Sequence, residues 1–262
     1  MRFLFNLFLA IFLKRKRFVR LSPNKKGQLF FFDKKEKNFL KFTIRDLIDS
    51  HTADQIFTYE EYDLKFLKRY YELYGLYKKN ILKSKKPLII DGGANIGFSA
   101  SYFAKLFYDS EIVAVEPEVK NFSMMKRNCA KLNNINFLNK ALGSNCGFVE
   151  IENIEADHNA FRTTKIYRQS NSIEMITVDN ILNDYSNFFP FIIKIDIEGF
   201  EDDLFSKNVS WVDKFPIIII ETHDWMLPKT ANSKNFLNVI SQRNRDFIHK
   251  GENIFSISND II

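Results

Sequence analysis

Lys194, Asp196, Glu198 and Glu201 fall within eight residues, and Glu221 and His223 follow about two dozen residues later. Each group lies at or just past the end of a short apolar run, Ile192–Ile195 or Ile217–Ile220. In open α/β sheets, ligands bind at the carboxyl ends of the strands, so two strands ending in this way would bring the groups to one crevice. A hydroxyl is a poor nucleophile near neutral pH and needs a base within hydrogen-bond reach. His223 has the side chain whose ordinary pKa suits that task, Asp196 is the second candidate, and Lys194 is placed to steady either carboxylate. Glu198 completes the candidate catalytic set. Structural readings compete: a Lys194–Glu201 ion pair, a Gly199 needed only for a turn, a His223 that caps a loop. The spacing matches no fixed hard-metal pattern, so no metal site is expected.

A second group precedes these. The buried-strand run Leu88-Ile89-Ile90 leads into Asp91-Gly92-Gly93-Ala94-Asn95-Ile96-Gly97, a carboxylate followed by a glycine-rich turn. Glycines let a ligand approach the backbone, and a helix entered from such a turn offers free N–H groups. Nineteen residues beyond Gly97, the run Ile112–Val115 ends in Glu116-Pro117, the distance at which an acid meets the hydroxyls of a nucleoside ribose. Ala94 stands where a dinucleotide fingerprint needs its middle glycine. Asp91 would repel a pyrophosphate and suits a cofactor carrying a cationic amine and a sulfonium.

The elements that must position these groups follow from periodicity. Gln28–Phe32 and Phe39–Ile44, separated by polar residues 33–38, predict a hairpin, and apolar residues at three- and four-residue spacing predict a helix over Tyr62–Leu82. The tyrosines of that helix read as core packing rather than as a stacking platform. From Lys86, strand candidates (Leu88–Ile90, Ile112–Val115, Phe137–Leu138, Ile192–Ile195, Ile217–Ile220) alternate with helix candidates (Phe98–Phe107, Val119–Leu132, Glu201–Phe205, Lys234–Gln242), the pattern of a parallel sheet with crossover helices. Residues 247–255 predict two strands joined by a tight turn. Signals are weak between Gly147 and Asp179, where His158–Ser172 reads as a loop whose His158, Asn159 and Arg162 face solvent or substrate. The division expected is residues 1–20, an extension over 21–84, and a main domain over 85–262.

Hydrophobic residues make up 45% of the 262 and charged residues 27%, enough for a sizeable core and too ordered a composition for a disordered tail. Two cysteines, Cys129 and Cys146, exclude a disulfide framework and fit a reducing compartment. Charge is uneven: residues 1–45 hold 13 lysines and arginines against two acids, and the remainder is net acidic. That confinement argues against nucleic acid. Phe3–Leu13 is apolar apart from Asn6 and is followed by Lys14-Arg15-Lys16-Arg17. Eleven residues are too few to span a bilayer core, which takes about 20 in a helix. Residues 1–20 therefore read either as an interfacial membrane contact or as a helix packed on protein.

Asp91-Gly-Gly-Ala-Asn-Ile-Gly97, Val115-Glu116-Pro117, Ala141-Leu142-Gly143, Lys194-Ile-Asp-Ile-Glu-Gly-Phe-Glu201 and Ile218-Ile-Ile-Glu221-Thr-His223 resemble the FkbM family of S-adenosylmethionine-dependent methyltransferases over about residues 85–225. The K-x-D-x-E-G-x-E run is the specific part. The resemblance implies an α/β fold with a Rossmann-like class I methyltransferase sheet, mostly parallel with an antiparallel C-terminal strand, behind an N-terminal extension with a hairpin and helices. It implies S-adenosyl-L-methionine as cofactor, with its methionine portion cradled by Asp91, Gly93, Asn95 and Gly97 in a turn that includes Gly92 and Ala94. Glu116, beside Pro117, would hold the ribose, Asn139–Leu142 (with Ala141 and Leu142) would border the adenine, and Asp196 would sit near the methyl group. The expected activity is O-methylation of a hydroxyl, preferably of a saccharide, glycolipid or surface polysaccharide. The expected location is the cytoplasm or the inner face of the cell membrane. A non-catalytic scaffold and a nicotinamide-dependent oxidoreductase are the alternatives; the oligomeric state is open.

Overall fold

The computed structural model describes residues 16–22, 27–151, 163–166 and 172–260. The chain forms two compact units that meet in sequence at Leu64 and Lys65. The division therefore falls twenty residues before the expected boundary at 84/85, because the helix that follows Leu64 packs on the second unit. The apolar run Phe3–Leu13 and the cations at 14 and 15 lie outside the described residues.

In the first unit, β1 (Phe18–Arg20) pairs antiparallel with β2 (Gly27–Asp33), which forms the expected hairpin with β3 (Asn38–Ile44). Alternation buries Leu29, Phe31 and Asp33 on one face of β2. Helix α1 (Leu47–Ala53) starts at Asp46, whose carboxylate accepts from the Ile48 and Asp49 amides. It widens into a π-turn over Asp54–Thr58. That turn carries Phe57 inward, where its ring lies 5.0–5.1 Å from Phe31, Phe18 and Phe42. Arg17 pairs with Asp33 at 2.7 Å, Arg45 with Asp49 at 2.7 Å, and Arg20 with Asp54. Of residues 1–20, expected either to contact a membrane or to pack on protein, 18–20 form a strand of this sheet, and Arg17, Arg20 and Arg45 are spent on acids of the same unit.

The first α-helix of the second unit is α2 (Tyr70–Leu82), shorter than the predicted Tyr62–Leu82 because residues 61–69 form turns and a short 3-10 helix at Leu64–Phe66. Its tyrosine stripe does pack: Tyr77 meets Phe107 and Phe191 with ring centroids 5.3 Å away, while Tyr71 faces solvent. There follow β4 (Pro87–Gly92), α3 (Phe98–Leu106), β5 (Glu111–Val115), α4 (Val119–Asn128), β6 (Ile135–Leu138), β7 (Ala141–Leu142), β8 (Gly147–Ile151), β9 (Thr163–Ile166), β10 (Ile173–Ile176), α5 (Val178–Asp184) and β11 (Phe189–Ile195). The chain continues with α6 (Glu201–Leu204), β12 (Ile217–Glu221), α7 (Lys234–Ser241), β13 (Arg245–Lys250) and β14 (Asn253–Ser258). Seven strands order as β13-β14-β12-β11-β4-β5-β6, parallel from β12 to β6, with the C-terminal hairpin antiparallel at one edge. All of the strands predicted from Lys86 onward lie in this sheet, whose central members are fully buried isoleucine-rich runs, as a sheet covered on both faces requires.

A second sheet, β7-β10-β8-β9, occupies the region where the sequence signals are weak. Thr163–Ile166 is a strand where a loop was expected. His158, Asn159 and Arg162 lie outside the described residues. In the main sheet the chain runs outward from β4 through β5 to β6, then returns to add β11 and β12 on the other side. The order reverses between β4 and β11, and at such a switch point the carboxyl ends of adjacent strands diverge into a crevice. Gly92 and Ile195 are register partners there. Among the described residues, no helix is long and apolar enough to cross a membrane.

Candidate active site

The turn after β4 is closed by its neighbour. Gly93 has φ +76°, and a Cβ on it would stand 1.6 Å from the Asp196 carbonyl oxygen, so only glycine lets the two strand-end turns meet. The amides of Gly93 and Ala94 both donate to the Val115 carbonyl at 3.0 Å, tying the turn to β5. A Cβ on Gly97 would lie 2.7 Å from Cys129 Sγ, and one on Gly92 would lie 2.9 Å from Leu142 Cδ2. These glycines serve close packing within the chain.

Glu116 sits at the end of β5, buried, and its carboxylate organises the same turn. Oε2 accepts from the Asn95 amide at 2.9 Å; Oε1 accepts from the Glu118 amide at 3.0 Å and from Asn121 Nδ2 at 3.3 Å. A carboxylate offers about four acceptor positions, so one on Oε2 remains open. Burial pushes Glu116 up to about 7, against the pull of those three donors. The Pro117 and Glu116 carbonyls are bridged by Asn139 Nδ2, 2.9 Å from each. Ala141 and Leu142 depart from expectation: they are strand residues buried in the interior, with Leu142 in the cluster of Leu88, Ile90 and Val115, and present no ligand-facing surface.

Asp91 is also placed differently from the cofactor-facing role expected of it. It is fully buried: Oδ2 accepts from the Ser99 hydroxyl at 2.6 Å, and Oδ1, which accepts no hydrogen bond, stands 3.3 Å from Lys194 Nζ. Lys194 Nζ in turn donates to the Gly93 carbonyl at 2.7 Å and lies 3.2 Å from Asp196 Oδ2. Buried beneath the crevice, this ammonium holds the glycine turn, Asp91 and Asp196 in one assembly, and it does not pair with Glu201.

Glu201 is instead the floor of the acidic cluster. With no exposure, its Oε1 accepts from the Ile197 and Gly199 amides and from His223 Nδ1 at 2.9 Å, and its Oε2 accepts from Asn232 Nδ2 at 2.6 Å. His223 is thereby fixed with Nε2 pointing at three more carboxylates: Glu198 at 3.5 Å, Asp196 at 3.6 Å and Glu221 at 3.6 Å. Burial by itself opposes a charge on the ring, but the bond to Glu201 and the surrounding acids outweigh it and lift His223 to about 10. Burial and the neighbouring Asp196 raise Glu198 to about 9 and Glu221 to about 8. His223 therefore departs from its expected role as base: a fully buried imidazolium has no lone pair for an acceptor's proton. Asp196 and Glu198 are the members open to solvent, each about one-quarter exposed.

Ser99 and Asn232 were not singled out from the sequence, since single polar residues in ordinary helical and loop positions carry no spacing signal. Trp225 was missed as well. It is 74% exposed two residues after His223, on a turn in which the Met226 and Leu227 amides return to the His223 carbonyl.

Residues 91–248 match the family described as the methyltransferase FkbM domain. No curated protein matches the chain. Among solved structures it is similar to the S-adenosylhomocysteine-bound Podospora anserina methyltransferase PaMTH1 (12% identity, 71% of this chain and 77% of that one, TM-score 0.40). It is also similar to precorrin-6y C5,15-methyltransferase from Geobacter metallireducens (10% identity, 66% and 80%, TM-score 0.38). With most of the second unit inside the matched span, the chain belongs to the FkbM methyltransferase family and is an S-adenosylmethionine-dependent methyltransferase.

Proposed function

We propose that the enzyme methylates a hydroxyl oxygen, on a saccharide or glycolipid acceptor. The observation that carries the reading is the abutment of two turns at the switch point: Asp196, an accessible carboxylate at the end of β11, packs directly against Gly93 of the β4 turn. The residues present fit the cofactor, because Glu116 keeps an open acceptor position beside that turn for a ribose hydroxyl. Asn95, Ala94 and Gly93 border the same turn. The cofactor supplies a methyl group on a sulfonium sulfur, open to in-line displacement. The chain's own part is to hold the acceptor oxygen in line and to receive its proton at the Asp196–Glu198 edge while Lys194 fixes the Asp196 carboxylate.

Trp225 supports a saccharide acceptor: an exposed indole two residues after His223 offers a broad apolar face with a polar N–H at its rim. Incubation with labelled S-adenosylmethionine and a panel of mono- and oligosaccharides tests the reading. Label should enter an alkali-stable methyl ether, and Asp196→Asn should abolish it while leaving S-adenosylhomocysteine binding intact. Label on nitrogen or carbon would reject it.

A membrane-surface location is a separate proposal, resting on the apolar run and cations at residues 1–15. Removing those fifteen residues should abolish sedimentation with anionic vesicles; unchanged sedimentation would reject it.

A further inference from the structure

We propose that the β11–β12 crevice is a divalent-cation site formed by Asp196, Glu221 and His223 Nε2. The cation's effect on the acceptor hydroxyl rests on the O-methyltransferase reading; the site itself does not.

One carboxylate and one imidazole nitrogen reach this point from different strand ends, and their ligand atoms with Glu221 lie within 4.8 Å of one another. Acids gathered at a strand edge do not by themselves make a cation site. The independent observation is His223: its side chain is 1% exposed, and its Nε2 hydrogen-bonds to none of the three carboxylates that face it at 3.5–3.6 Å. A histidine placed only to bond one of those acids would sit closer to it. Near-equal distances from three oxygens leave room for a cation among them, which would take the place of the Nε2 proton that the ring carries in the cation-free protein. Behind the ring, Glu201 holds Nδ1 and Asn232 holds Glu201, the outer-shell arrangement that fixes the tautomer and aims the other nitrogen at a metal. Among the described residues, no donor hydrogen-bonds to the Glu198 or Glu221 carboxylate.

One nitrogen with several carboxylate oxygens suits a first-row ion such as Mn2+ better than Ca2+, which prefers an all-oxygen shell. Glu198, the fourth wall of the crevice, is left outside the ligand set. During transfer, a cation here would bind the acceptor oxygen and favour its ionised form. The O–H bond breaks with its proton passing to Glu198, which the bound cation would hold as a carboxylate, the O–C bond forms, and the C–S bond breaks with its electron pair remaining on sulfur.

The test is titration of chelator-treated full-length protein with Mn2+, followed by electron paramagnetic resonance and calorimetry, with Ca2+ as the contrast ion. One Mn2+ per chain is expected, bound more tightly than Ca2+. The affinity should fall at least tenfold in His223→Ala and in Glu221→Gln, and about tenfold to a hundredfold in Glu201→Gln. Each variant is first shown to be folded by its S-adenosylhomocysteine affinity. No stoichiometric Mn2+ uptake by folded wild type, a preference for Ca2+, or unchanged affinity in His223→Ala would overturn the proposal. Mn2+ uptake without any methyl ether product would reject the O-methyltransferase reading alone. Methyl ether formation by protein that binds no Mn2+ would reject the cation site alone.

Discussion

Glu116 makes cofactor affinity depend on pH, in a direction and by an amount that its surroundings fix. Its two oxygens already accept three donors, and burial still holds the free protein's carboxyl near 7, about 2.5 units above the ordinary glutamate value of 4.5. A ribose hydroxyl donating to the open position on Oε2 favours the ionised form, so binding expels the proton. Affinity should therefore rise with pH up to about 7 and level off above it. At pH 6 about nine in ten free molecules carry the proton, so the S-adenosylhomocysteine Kd should be about tenfold weaker than at pH 8. Each further unit down costs about another tenfold, or about 1.4 kcal/mol. The same shift acts on folding: a pKa raised in the folded state stabilises at low pH, and that contribution, roughly 3 kcal/mol, is lost as pH rises from 4.5 through 7. The assay is calorimetric titration with S-adenosylhomocysteine at pH 5.5, 6, 7 and 8, in wild type and Glu116→Gln, with proton release read from buffers of different ionisation enthalpy. The variant should bind weakly at every pH with no slope. Equal wild-type Kd values at pH 6 and pH 8 would refute the reasoning.

Lys194→Met should lower the urea-unfolding free energy by about 3–5 kcal/mol, because it strands the buried Asp91 carboxylate; a loss below about 1 kcal/mol would mean that the ammonium does not neutralise Asp91. Gly93→Ala should abolish S-adenosylhomocysteine binding in calorimetry, since its methyl cannot coexist with the Asp196 carbonyl. Trp225→Ala should raise the acceptor KM about tenfold, roughly 1.4 kcal/mol of lost contact, with S-adenosylhomocysteine affinity unchanged. Steady-state kinetics on a responsive saccharide reads this directly.

The main sheet was legible because its central strands are continuous apolar runs bounded by glycine, proline or charge, and such runs have few other uses. The Asp91–Gly97 and Lys194–Glu201 motifs could be recognised because each packs a strand end, a tight turn and a helix start into eight residues or fewer. Less legible was the division of labour within them. Asp91 and Asp196 are both strand-end aspartates, yet one is sealed under Lys194 and the other is open, a difference set by the partner strand. His223 suits a base by residue type, and becomes an imidazolium only when Glu201, Asp196 and Glu198 close around it. The small sheet of β7 to β10 escaped notice because its strands have two to five residues, too short for alternation to register.

The contact between Lys194 and the Gly93 carbonyl joins residues 101 positions apart. Since β4 and β11 are adjacent at the centre of the sheet, the glycine turn leaves the ribosome well before the strand that completes it. At about 5–20 residues per second, the interval is about 5–20 s. Throughout it the carboxyl edge of β4 has no neighbour on that side, and Asp91 has no ammonium to meet its charge. Closing so long a loop is a late, non-local event, which places assembly of this unit among the slow folders. The enzyme therefore gains its cofactor-competent turn only when the last of its two signature motifs has been made, and a chain cut short before β11 can neither bind cofactor nor withhold it from other enzymes.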